Sequence, residues 1–348
     1  MTLSEAEVTY SPQDAYRAAH ESAVLAFHSE PGVLQLTGRT RLELINRMST
    51  QAVNGLKDGE GAATVLTTEI GRIIDRVIVY EYDDRALLLT GDGHAPALAR
   101  YLARNIFFND DVQVKDLSEG MAIFGVYGPR AAELLAEVGL PAADLPLHHW
   151  RTGVQEFIHL PTIPDGAPKP SIEDVGTGQI VYSLHRADPI AGDGFYVMSP
   201  PSVAPLLLNW LSLAVPVGIE EELYDYLRIE AGRPRFGREL TLDYIPLEAG
   251  LWADVSFSKG CYTGQEIIAR MESRGKLAKR LVRLRPASPV AAGAEITANG
   301  RPVGTLTSAA DGPAGPVALG YVKTAALDEG AELTAAGVPL RVLSSQDE

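Results

Sequence analysis

Lys259-Gly260-Cys261-Tyr262-Thr263-Gly264-Gln265-Glu266 is the densest run of chemistry in the chain. It holds the only cysteine of 348 residues, two positions from Lys259 and between Gly260 and Gly264. A nearby cation favours thiolate by charge attraction, and glycines keep the backbone approachable. Read as ordinary packing, the same Cys261 is a small buried hydrophobe. Ile267-Ile268 then opens an apolar stretch, which puts Cys261 on the loop that enters it.

Working outward, 348 residues exceed one simple core, so two or three domains are expected. No apolar run approaches the roughly 20 residues that cross a bilayer, so no membrane partner is expected. Met1 to Asp14 carries Glu5, Glu7 and Asp14 and no basic residue, the wrong charge for a targeting segment. A cytoplasmic location is the expectation. The net charge of −15 repels phosphate backbones, which argues against nucleic acid as a partner. A single cysteine allows neither an internal disulfide nor a cysteine-only metal or iron–sulfur site within one chain. The seven histidines do not cluster at ligand spacing, and adjacent His148 and His149 point apart, so no metal site is expected.

The periodicity predicts a helix over 15–29, a strand over 32–37 and a helix over 40–48 with Leu42, Ile45 and Met48 on one face. Paired strands follow at 61–67 and 73–82, then a strand at 87–90 and a helix at 96–105. Gly91-Asp92-Gly93 imitates the start of a dinucleotide fingerprint, but Pro96 fills the third glycine position and reads as a helix start. Residues 161–178 are rich in Pro and Gly and read as a surface loop. Strands near 179–184 and 194–198 and helices at 203–213 and 220–231 continue an α+β pattern. After Gly275 short strands take over, with Asn299-Gly300 as a hairpin turn, which predicts a small β-barrel or sandwich.

Two further residues stand out. Arg228 is either a helix-surface partner of Glu230 or a guanidinium offered to a ligand carboxylate. Asp75 either pairs with Arg72 or Arg76, or accepts hydrogen bonds from the amidine-like edge of a ligand.

Leu227 to Gly232, Pro246 to Leu251 and Lys259 to Glu266 together resemble the glycine-cleavage T-protein (aminomethyltransferase) superfamily. The Lys-Gly-Cys-Tyr-x-Gly-Gln-Glu form resembles its YgfZ-type folate-binding branch. Gly71 to Tyr80 is similar to the family's Gly-Gly-x-x-Asp-Asp strand, and Leu319 to Val322 to its Leu-Gly-Tyr-Val strand. The resemblance implies a three-lobed ring around a central folate channel. One α+β lobe would span 1–52 and 117–276, an inserted α+β lobe 53–116, and a C-terminal β-barrel 277–348. It implies tetrahydrofolate or a derivative as cofactor, with Arg228, Asp75 and Tyr196 lining its site. It also implies a role in maturation or repair of iron–sulfur enzymes, which would be client partners. Cys261 would act at the channel mouth, with Lys259 biasing it towards thiolate. Gly260, Tyr262, Gly264, Gln265 and Glu266 would shape the loop. Against the transferase pattern, Arg76 stands where a second aspartate is expected and Tyr196 where a glutamate is. Whether the chain is an enzyme therefore stays open: a folate-dependent aminomethyltransferase or demethylase, or a non-catalytic scaffold, are the alternatives.

Overall fold

The computed structural model describes residues 10–28, 31–156 and 179–343. The predicted loop at 161–178 lies outside them. Ser11 caps the first helix, Pro12–Glu21, by accepting the Asp14 N–H at 3.1 Å, and Pro12 supplies a preset φ at its start. The helix ends at Glu21 rather than continuing to 29. Ala23 to Phe27 is a continuous apolar run, which suits a buried strand as well as a helix. It forms strand Val24–His28, whose Leu25 lies opposite Val126 in an antiparallel ladder.

That strand belongs to a six-stranded sheet. In order the strands are Gly218–Ile219, Val24–His28, Ala122–Gly128, Asp193–Ser199, Gln179–Ala187 and Trp150–Glu156. A second, five-stranded antiparallel sheet runs Gly61–Thr67, Ile73–Glu81, Arg85–Asp92, Pro31–Thr37 and Gln113–Asp116. The latter draws on residues upstream of the boundary at 53 expected from sequence. Pro31–Thr37 lies between Arg85–Asp92 and Gln113–Asp116, and Leu44, Ile45 and Met48 of the helix Arg41–Met48 join its core. Consecutive strands at 24–28 and 31–37 thus enter different sheets, which their closeness in the chain conceals.

Six strands between Lys279 and Val342 close into a barrel. Asn299 (φ 50°) and Gly300 (φ 71°) make the predicted tight turn between two of them. Helix Glu221–Glu230 lies between the six-stranded sheet and the barrel. Its Tyr226, Leu227 and Ile229 share one core with Val24, Tyr127, Val317 and Leu319. Tyr224 and Arg228 of the same helix reach a cavity bordered by both sheets.

Candidate functional site

The cavity encloses about 340 Å³. Asp75, Arg76 and Ile78 come from one strand of the five-stranded sheet, and Leu89 to Asp92 from its neighbour. Phe27, His28 and Tyr196 come from the six-stranded sheet. Arg233 to Phe236, from the loop after helix Glu221–Glu230, complete the wall. Three residues expected from sequence, Asp75, Tyr196 and Arg228, therefore meet in one cavity, although they are far apart in the chain.

Asp75 is fully buried. Its Oδ2 accepts the Gly91 N–H at 3.0 Å and lies 2.9 Å from His94 Nδ1. Its Oδ1 is buried with no hydrogen-bond partner among the described residues. Burial raises the pKa of this carboxyl, opposed by the bonds from His94 and Gly91. A buried oxygen without a donor is rare, because losing water without replacement costs about 1–3 kcal/mol. The neighbouring Gly91 is sterically required: a Cβ there would sit 2.4 Å from the Phe236 ring. The segment read from sequence as a helix start is therefore also a piece of cavity wall.

Arg76 does not offer itself as a second aspartate would. Its Nε donates to Asp254 at 2.6 Å and its Nη1 to Asp188 at 2.7 Å, with His148 also 3.3 Å from Asp188. Burial would raise the Asp188 carboxyl, but Arg76 and His148 overcome it and draw the group well below the usual carboxylate range. Asp225 is lowered in the same way, against its burial, by Arg228, Arg238 and Arg235. Tyr196 sits in a ring cluster with His28, Tyr127 and Tyr224, its centroid 5.6 Å from that of His28. Burial pushes the Tyr196 phenol up to about 12 and, with the charge of Arg235, pulls His28 down to about 4. Both groups are thus uncharged near neutral pH.

Arg228 is 2% exposed and largely engaged by the protein. Nε donates to Asp225 at 2.8 Å, Nη1 to Glu239 at 2.8 Å and Nη2 to Ser308 at 2.7 Å. It clamps the helix to the following loop and to the barrel, in place of the Glu230 pairing weighed from sequence. Arg233, Arg235, Asp92 and Asp188 line the cavity too and were not singled out from sequence. Arg-Pro-Arg at 233–235 was the available signal; Asp188 carried none.

None of residues 259–266 lines the cavity. The Lys259 ammonium donates to the carbonyls of Asn46, Ser49 and Gln51 at 2.6, 2.9 and 2.7 Å. All three hydrogens therefore serve the C-terminal end of helix Arg41–Met48 and the residues just after it. Burial lowers its pKa to about 8. Thr263 donates its N–H to the Arg47 carbonyl, and Thr67 donates its hydroxyl to the Thr263 carbonyl at 2.6 Å. Gly264 adopts φ +83°, and a Cβ there would come 2.6 Å from the Thr68 carbonyl oxygen. Tyr262 is buried and accepts the Gln265 N–H on its carbonyl at 3.2 Å. Gln265 opens helix Gln265–Arg274, and Glu266 pairs with Arg270 on its surface. Cys261 is exposed, in place of the buried hydrophobe weighed from sequence.

Replacing Lys259 by Met is expected to lower the unfolding free energy by about 1–2 kcal/mol, because three carbonyls lose their shared charged donor. Urea denaturation checks this; an unchanged midpoint would deny the capping role.

The two sheets with the cavity between them, and the barrel behind, define a T-protein-like fold. The GCVT N-terminal domain family matches residues 6–160, and the family described as CAF17, C-terminal beta-barrel domain matches residues 279–346. A chloroplastic Arabidopsis thaliana protein named a putative transferase is 30% identical over 327 residues, covering 92% of this chain and 70% of that protein. The aminomethyltransferase of Streptomyces coelicolor is 27% identical, covering 95% of this chain and 86% of its own. The crystal structure of the glycine cleavage system aminomethyltransferase T from Bartonella henselae superposes with a TM-score of 0.79 at 25% identity, covering 98% of this chain and 91% of that one. The chain belongs to the GCVT aminomethyltransferase superfamily and carries a CAF17-type C-terminal barrel. No helix among the described residues is long and apolar enough to cross a membrane.

Proposed function

We propose that the cavity binds tetrahydrofolate or a close derivative, and that the chain is a YgfZ-type accessory protein rather than an aminomethyltransferase. The observation that carries the folate reading is the unpartnered Asp75 Oδ1 in the cavity wall. A pterin presents an amino group and a ring N–H side by side, a donor edge that a carboxylate accepts well. Phe27, Phe236 and the tyrosine cluster supply flat apolar surface for its ring system.

Two features favour an accessory role over transfer. Arg76, where the resemblance leads one to expect a second aspartate, is held between Asp188 and Asp254. Tyr196, where a glutamate is expected, is an uncharged phenol near pH 7. Neither provides a second carboxylate for one-carbon chemistry. The exposed thiol of Cys261 lies outside the cavity wall and is available to a client protein, which supports a role in maintaining iron–sulfur enzymes.

Calorimetric titration with tetrahydrofolate tests the first part, with binding in the micromolar range expected; no heat at millimolar ligand would refute it. For the second, Cys261→Ser is expected to change stability by less than about 0.5 kcal/mol, since the residue is exposed. The same variant should fail to restore an iron–sulfur reporter enzyme in cells lacking this protein. Full restoration would remove the thiol from the mechanism.

A further inference from the structure

Four arginines line the cavity, and three of them are neutralised by the protein's own carboxylates. Arg76 pairs with Asp188 and Asp254, Arg228 with Asp225 and Glu239, and Arg235 with Asp92, Glu221 and Asp225. Arg233 differs. Its Nε donates to the Pro189 carbonyl at 3.0 Å, and it forms no ion pair among the described residues. That contact fixes the plane of the guanidinium and leaves both terminal nitrogens without a protein acceptor among those residues.

The position is rigidly supplied. Arg233 follows helix Glu221–Glu230, and its N–H closes the helix end on the Arg228 carbonyl at 2.8 Å. Gly232 takes φ +72° to make that turn. A half-buried guanidinium, oriented from behind and without a counter-ion among the described residues of a chain of net charge −15, is arranged for an anion from outside. Its planar fork matches a carboxylate at two points.

We propose that Arg233 is the anion-binding end of this cavity, taking the carboxylate of an elongated ligand whose donor edge meets Asp75. The inference rests on the folate reading and deepens it. The cavity reads both ends of the ligand, so a pterin that lacks the acidic tail forfeits the second contact. Arg228, the arginine singled out by resemblance, holds the wall together and Arg233 meets the ligand.

Three probes test this: tetrahydrofolate, the tail-less 6-methyltetrahydropterin, and p-aminobenzoylglutamate, which is the tail without the pterin. Each is titrated into the full chain and into Arg233→Met, with thermal unfolding as the control for folding. Arg233→Met is expected to weaken tetrahydrofolate roughly tenfold and leave the tail-less pterin unchanged. Arg233→Lys should recover part of the loss, since it keeps the charge without the fork. If tetrahydrofolate binds both proteins equally, the role of Arg233 is overturned and the folate reading survives. If tetrahydrofolate does not bind but p-aminobenzoylglutamate binds only the arginine form, the folate reading falls and the anion site stands. If no probe binds, both fall.

Discussion

Arg228→Ala is expected to lower the unfolding free energy by about 3–5 kcal/mol, the usual loss when one partner of a buried ion pair is removed. Glu239 is 0% exposed and would keep a charge with its main cation gone. The Ser308 hydroxyl and the Arg235 N–H still donate to Glu239, but neither carries a compensating charge. The truncation also takes one donor from Asp225 on the helix, which keeps Arg235 and Arg238, and one from Ser308 on the barrel, so the damage spreads over three segments. Urea unfolding measures the loss. Pairing Arg228→Met with Glu239→Gln should recover part of it, because both charges then leave together. A loss below about 1 kcal/mol in the single variant would contradict the clamp.

Asp75→Asn is expected to weaken tetrahydrofolate binding by about 1.5–3 kcal/mol, or roughly 10- to 150-fold. The amide has one oxygen to offer, and its NH₂ group cannot accept from the pterin's donor edge. The same carboxylate gives binding a pH dependence whose sign follows from burial. The folded-state pKa of Asp75 is raised, so between the ordinary carboxylate value and the raised one the folded protein keeps a proton that the unfolded chain has lost. Stability from this group therefore falls as pH rises through that window. A donor ligand favours the ionised form, so affinity rises with pH through the same window and binding releases a proton. Calorimetry in buffers of different ionisation enthalpy detects that proton. Equal proton release by the wild type and Asp75→Asn would rule out Asp75 as its source.

Much of the architecture was legible because local signals agree with the final fold. The Asn299-Gly300 turn and the short strands around it mark the C-terminal β module, while the choice between barrel and sandwich is not local to them. The helix ending at Glu21 was harder, since Ala23 to Phe27 satisfies either period and only pairing with Ala122–Gly128 selects the strand. Asp75, Tyr196 and Arg228 could be brought together only by resemblance, because three distant segments supply them. Their individual roles were hidden for a different reason. A sequence shows four arginines of one type but not which carboxylates neutralise them. Lys259 makes the same point: its acceptors lie 208 to 213 positions away, and nothing near it announces a helix cap.

Among the described residues the barrel contributes no side chain to the cavity wall, which ends at Leu240. It is nevertheless a buttress. Ser308 braces Arg228, and Val317 and Leu319 back the helix that carries Tyr224 and Arg228. Ser308 and Tyr321 also hold Glu239, and Tyr321 packs with Leu240 of the wall, so pressure on the outer module reaches the chamber through that helix and through the loop that follows it. A protein that grips the barrel would have a mechanical handle on what the chamber holds, without entering it.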